Sequence, residues 1–284
     1  MLALLLLAAL VTAGPPWRRG LGLALAALLL PCSLALPGPP LLQGVVALLA
    51  FWGFARIVDL AGEARPMPPL ARLIFAAAII DTRRLQPAAP HLDRRALLRL
   101  AVWVPLGLCA LHTALAHDPG PLRWACGALA MYALGETGEH LFRGLLALLG
   151  VRGPAIQRTP IAGTSLRDFW GERWNLVVNR WLREHCFLPW ARRRRPVLGL
   201  GLAFLASAAI HAWFIGVALG PRMAAWMGLY FLIQGALLAL ELPLRVQRWP
   251  TLAARVWTLA GVLLPAPLFV EPMLRLFATP ALYV

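Results

Sequence analysis

Long apolar runs rich in leucine and alanine, broken by short polar or proline-bearing stretches, cover most of this chain. About 20 consecutive apolar residues suffice to carry a helix across a bilayer. On that measure the pattern predicts about eight spans: 1–16, 20–36, 41–58, 97–117, 121–137, 197–219, 223–243 and 251–271. Several are short or interrupted by proline. The first apolar run has no positive charge ahead of it, as a cleaved signal peptide would, so it reads as a membrane segment. The apolar pieces 70–80 and 141–150 are too short to cross and read as re-entrant or interfacial. The fold class expected is all-α: a polytopic transmembrane helical bundle of one domain, 1–284, with interfacial amphipathic helices. Its longest polar loop is 151–196.

Composition sharpens this picture. Of the 284 residues, 60% are hydrophobic and 14% charged, with a mean hydropathy of +0.71. Soluble domains carry about 25% charged residues and disordered chains are poorly hydrophobic, so both classes are excluded. The net charge is +15, from 27 basic and 12 acidic residues, and every basic residue is arginine. Such a charge can signal nucleic-acid binding. Here the arginines gather after the first, third, fifth and seventh predicted spans, which puts nearly every basic cluster on one face. That is the positive-inside pattern of cytoplasmic loops, and no nucleic-acid partner is expected. Counting 141–150 as a ninth span would place the largest cluster outside. The lysine-free, Ala/Gly/Pro-rich composition points to a GC-rich genome and a bacterial inner membrane. Cys32, Cys109, Cys126 and Cys186 form no C-x-x-C pair and read as small apolar residues.

Two departures from apolarity carry candidate chemistry. Within the loop, Ser165 to His185 plots as an amphipathic helix. Leu166, Trp170, Trp174, Val177 and Trp181 fall on one face, and Asp168, Glu172, Asn175, Asn179 and Arg183 on the other. Pattern alone makes this an interfacial helix with tryptophans at headgroup depth. The next span holds His211 near its middle. Ionisable groups at that depth are expensive and often functional, although a lone histidine also serves as a helix–helix hydrogen-bond partner. A histidine can take a proton from a hydroxyl and deliver it to a leaving group.

The stretch Ser165-Leu-Arg-Asp168-Phe-Trp170-Gly-Glu-Arg173-Trp174-Asn175 resembles the S-L-x-D-F-W-G-x-R-W-N motif of the wax synthase branch of the membrane-bound O-acyltransferase superfamily. His211 stands where that family has its intramembrane histidine. The segment Phe231 to Gly235, with Glu241, and the last span around Arg255 are similar too. The resemblance covers roughly 155–275, and the first 120 residues match in hydropathy alone. It implies an acyl-CoA:alcohol O-acyltransferase forming wax-type esters, with no cofactor beyond the acyl-CoA co-substrate. His211 would be the general base and Asn175 would position or polarise the acyl carbonyl. Asp168, Trp170, Arg173, Trp174 and Gln234 would contact substrate. A long-chain alcohol is the leading acceptor; diacylglycerol, a sterol or a hydroxylated metabolite are alternatives. The chain departs from the family pattern at Ala212, Glu172 and Gln234, where Glu, a basic residue and His are common.

The helical wheel sets a condition on this assignment. Asn175 lies opposite the apolar face and meets His211 only if that face turns toward an internal cavity or Gly171 breaks the helix. Other motifs add little. Glu136, Glu139 and His140 form E-x-x-E-H without the further ligands a metal site needs, and a helix cap or cavity-lining group is the expectation. No G-x-S-x-G elbow exists. A transporter relaying protons through His211 would be the rival class. The sequence shows no internal repeat to favour it.

Overall fold

The structure is a computed structural model that describes residues 1–278. Its first half contains α1 (Leu2–Val11), α2 (Pro16–Ala27), α3 (Leu29–Leu34), α4 (Pro40–Gly62), α5 (Pro69–Ala77), α6 (Arg94–Leu115) and α7 (Pro121–Leu148). Three short pieces follow in the polar loop: α8 (Leu166–Asp168), α9 (Leu176–Leu182) and α10 (Leu188–Ala191). The chain then runs through α11 (Pro196–Leu219), α12 (Pro221–Leu244), α13 (Thr251–Leu263) and α14 (Pro267–Phe277). Helices α2, α4, α5, α7, α11, α12 and α14 all begin on proline. Its fixed φ and missing N–H suit a first helical turn, so the same residue that breaks one run opens the next.

The all-α polytopic fold agrees with the sequence, but eight spans do not emerge. Among the described residues, four helices are long and apolar enough to cross a membrane: α4, α6, α11 and α12. The pair α13 and α14, bent by 50° at a short break, makes a fifth if counted as one. The predicted first span is the 10-residue α1. At about 1.5 Å per residue it reaches about half of a hydrocarbon core of about 30 Å. The predicted second span is broken at Leu28, between α2 and α3. Conversely, 121–137 and 141–150 merge into one 28-residue helix, α7. Glu136 and Glu139, at a predicted span end in the sequence, are both buried within that helix.

Helix α11 pairs with α12 across a one-residue turn at Gly220, whose φ of 82° suits glycine. Helix α6 pairs with α7, and α4 crosses α11. Helix α14 packs on α12 and α7. At Gly127 of α7 a Cβ would lie 2.3 Å from a Val270 methyl and 3.0 Å from Leu274, so only glycine admits this approach. Close packing over small residues is how membrane helices associate, because lipid offers no hydrophobic drive between them. Leu98, Val102 and Leu108 of α6 and Leu232 of α12 face outward, as lipid-facing side chains do. Among the described residues the one sheet is a two-residue antiparallel pair, Gln86–Pro87 with Val151–Arg152, which ties the loop before α6 to the loop after α7.

Candidate functional site

The polar loop is built locally before it is docked. Ser165 Oγ accepts the Asp168 N–H at 2.9 Å and opens the α8 turn. Phe169–Arg173 then winds as a π-helical turn. Trp174 is extended and Asn175 left-handed, at φ 40° and ψ 60°. Asparagine tolerates that region and prefers a cap to a helix interior. Its Oδ1 accepts the Val178 N–H at 3.3 Å and starts α9. The amphipathic helix predicted over Ser165–His185 is therefore not one helix. The break falls at Trp174–Asn175 rather than at Gly171. Periodicity could not show it, because the polar face of the wheel is satisfied by capping rather than by water.

Two buried glutamates, one on α7 and one on α12, hold this loop. Glu139 of α7 accepts the N–H groups of Ile156 (2.6 Å) and Gln157 (3.2 Å) and pairs with Arg143 (2.6 Å). Glu241 of α12 accepts the N–H groups of Leu166 (2.6 Å) and Arg167 (3.1 Å) and the Trp257 indole N–H (2.9 Å). A buried carboxylate with three such donors stays supported. Glu139 was read above as a cap or cavity group, and it caps a loop rather than a helix. Nothing in the sequence marks Glu241 as a partner of residues 75 positions earlier.

Trp170 points inward instead of to headgroup depth. Its indole N–H donates to Gln234 Oε1 at 3.0 Å, and its ring meets Phe204, Tyr230 and Phe231 with centroids 6.0–6.3 Å apart. Asn179 Nδ2 donates to the Trp170 carbonyl. Gln234 is fully buried, and its Nε2 donates to the Gly261 carbonyl at 2.9 Å. That carbonyl lies four residues before Pro265, which has no N–H to offer it. Gln234 thus repairs the proline break between α13 and α14 while holding the loop tryptophan. Both ends of its amide are engaged by protein.

Phe231 extends the cluster to His211, whose ring lies 3.9 Å from it, centroid to centroid. His211 Nδ1 is 2.8 Å from the Ser207 carbonyl. A carbonyl only accepts, so in the neutral ring Nδ1 carries the hydrogen and Nε2 presents a lone pair. Among the described residues Nε2 has no hydrogen-bond partner. The structure therefore brings together Trp170, Gln234, Phe231 and His211. No hydrogen bond joins Asn175 to His211. Asp168 and Arg173 form a local ion pair at 2.8 Å, with Asp168 Oδ2 also accepting the Thr164 N–H. Trp174 stacks on Phe169 at 5.8 Å and 11°.

Outside the bundle, arginines crowd this loop. Arg180 is half-buried and has no carboxylate within ion-pair distance among the described residues. Burial first, and then the charge of Arg84, pull its guanidinium below the ordinary value. A cleft of about 350 Å³ opens beside Glu139, Arg143 and Arg152, and His211 is not among its lining residues.

Comparison with known proteins agrees with the motif. Residues 154–233 match the sequence profile of the membrane bound O-acyl transferase family. A curated relative from Arabidopsis thaliana, named "Probable long-chain-alcohol O-fatty-acyltransferase 3", is 32% identical over 133 residues, 41% of this chain and 38% of its own length. Another from that plant, "Probable long-chain-alcohol O-fatty-acyltransferase 2", is 34% identical over 145 residues, 47% of this chain and 42% of its own. The "Long-chain-alcohol O-fatty-acyltransferase" of Simmondsia chinensis is 34% identical over 91 residues, 29% of this chain and 26% of its own. The matched stretches thus span about half or less of these relatives' length.

Proposed function

We infer from the motif, the family profile over residues 154–233 and the similar curated proteins that the chain is of the wax synthase branch of the membrane-bound O-acyltransferases. From that premise we propose that it is an integral membrane acyl-CoA:alcohol O-acyltransferase making wax-type esters from a fatty acyl-CoA and a long-chain alcohol. The observation that carries the proposal is the state of His211. Its Nδ1–H is committed to the Ser207 carbonyl, and Nε2 is left as a base in an aromatic cluster that also contains the motif tryptophan.

The mechanism follows from the chemistry of a thioester, which is activated enough to need no covalent enzyme intermediate. Nε2 takes the hydroxyl proton as the alcohol oxygen attacks the acyl carbonyl. The tetrahedral intermediate expels the CoA thiolate, which recovers the proton from the imidazolium. The Asn175 amide N–H groups, left over once Oδ1 has capped α9, would steady the oxyanion. Burial among Phe231, Phe214 and Trp170 keeps water from competing with the alcohol. Arg180, half-buried without a counter-ion, suits the CoA phosphates. We place the enzyme in a bacterial inner membrane with its arginine-rich loops cytoplasmic.

The test is protein in nanodiscs, supplied with radiolabelled palmitoyl-CoA and a panel of alcohols. Wild type should give ester, and His211→Ala should give none while remaining folded. Ester formation by His211→Ala at the wild-type rate would remove the base assignment. Thioester loss without any ester would redirect the reading to hydrolysis. Movement of substrate across vesicles without ester would favour transport.

A further inference from the structure

Several arginines on or near the polar loops are paired within the protein. Arg56 pairs with Asp59, Arg83 with Asp81 and Glu63, Arg84 with Asp81 and Glu184, Arg143 with Glu139, and Arg173 with Asp168. The run Arg192–Arg195 behaves differently. All four residues are exposed, and none forms an ion pair among the described residues. Mutual repulsion should spread such a run, yet its backbone is tightly folded. The Arg195 N–H reaches the Trp190 carbonyl at 2.9 Å and the Arg194 N–H reaches Ala191 at 3.0 Å. These are the paired bonds of a Schellman helix end. Its left-handed position is Arg194, at φ 60°, where glycine would be at ease. An arginine kept at such a position points to a use for its side chain.

The corner is also rigidly placed. Pro196 follows at once as the first residue of α11. At Gly199 a Cβ would lie 2.6 Å from the Phe187 carbonyl, so α11 sits directly against the segment leading into the corner. Val197 and Leu198, the next residues, are exposed and apolar at the start of a membrane-spanning helix. Four guanidiniums therefore radiate from one turn within a residue or two of lipid-facing side chains. The Arg193 guanidinium lies over the Trp190 ring at 5.4 Å, an arrangement suited to the headgroup layer.

We propose that the Arg192–Arg195 corner is a docking surface for anionic phospholipid headgroups of the leaflet that α11 enters. The headgroup phosphates would supply the counter-charge that the protein itself withholds. A topology anchor would need only charge somewhere in the loop. A fixed corner at the apolar boundary instead holds that charge where lipid phosphates lie, and phosphates are what arginine grips well.

The test compares association of spin-labelled phosphatidylglycerol and phosphatidylcholine with the protein in bilayers, read by electron paramagnetic resonance. Wild type should prefer phosphatidylglycerol, and salt should weaken the preference. Each arginine changed to glutamine should reduce it about fivefold at low salt, following the worth of one basic residue near an anionic surface. Arg194→Gly keeps the turn and should lose one such step with no loss of thermal stability. Exchange of all four for lysine should keep most of the preference, which separates charge from folding. An unchanged preference in both Arg194→Gly and the four-glutamine variant would overturn the proposal. So would abolition of the preference by added CoA, which would assign the corner to a soluble phosphate compound. Neither readout depends on ester formation.

Discussion

Gln234→Leu tests the central link between the loop and the membrane helices. The change nearly conserves volume at a fully buried position and removes two hydrogen bonds together. The Trp170 indole N–H loses its acceptor at 3.0 Å, and the Gly261 carbonyl loses its donor at 2.9 Å. Neither group has a ready substitute: leucine offers no polar atom, and Pro265 has no N–H for Gly261. Leaving a buried polar group unpaired costs about 1–3 kcal/mol, so the expected destabilisation is about 2–6 kcal/mol. Thermal unfolding in nanodiscs, followed by tryptophan fluorescence, measures it. Gln234→Glu, which keeps an acceptor for Trp170 and can donate when protonated, should lose less. In the ester assay Gln234→Leu should lower kcat through Phe231 and His211. A loss below about 1 kcal/mol, with turnover intact, would refute the idea that Gln234 braces both the proline break and Trp170.

Other outcomes follow from the same contacts. Asn175→Asp keeps a capping oxygen for Val178 but loses the amide donor, so melting should hold while kcat falls. If kcat holds as well, Asn175 is a cap and nothing more. Glu241→Ala strips the Leu166 and Arg167 N–H groups of their acceptor and should destabilise by about 2–6 kcal/mol. Proteolysis should then cut first near residue 166, and cutting elsewhere would count against the clamp. A pH dependence is expected at Asp81. Burial pushes its carboxyl up, but the hydrogen bond and charge of Arg83 outweigh this and hold it below the ordinary value. A lowered carboxyl stabilises the fold above the unfolded value and loses that contribution as pH falls through the lowered one. Protection from hydrogen exchange around residues 81–84, measured against the intrinsic rate at each pH, should thus be high at neutral pH and fall below about pH 4. Arg83→Gln should flatten that dependence, and an identical profile in both proteins would contradict it.

The sequence by itself determined the membrane character and the helical class. Apolar runs, prolines at their starts and one polar loop are local properties, and the motif with His211 is readable in one dimension. Hydropathy overcounted the spans because it weighs polarity and ignores burial. Glu136 and Glu139 stand at a predicted span end, yet they lie inside α7, where hydrogen bonds from Gln157 and Ile156 offset their desolvation. The 3.6-residue period made one amphipathic helix of 165–185, and the left-handed capping of Asn175 made two. Only the tertiary structure decided that Trp170 faces inward, since that depends on an acceptor 64 residues away on another helix. It likewise decided the tautomer of His211, because hydrogen-bond partners are fixed by where the chain comes together, and a sequence pattern specifies which residues are able to pair but not which ones meet.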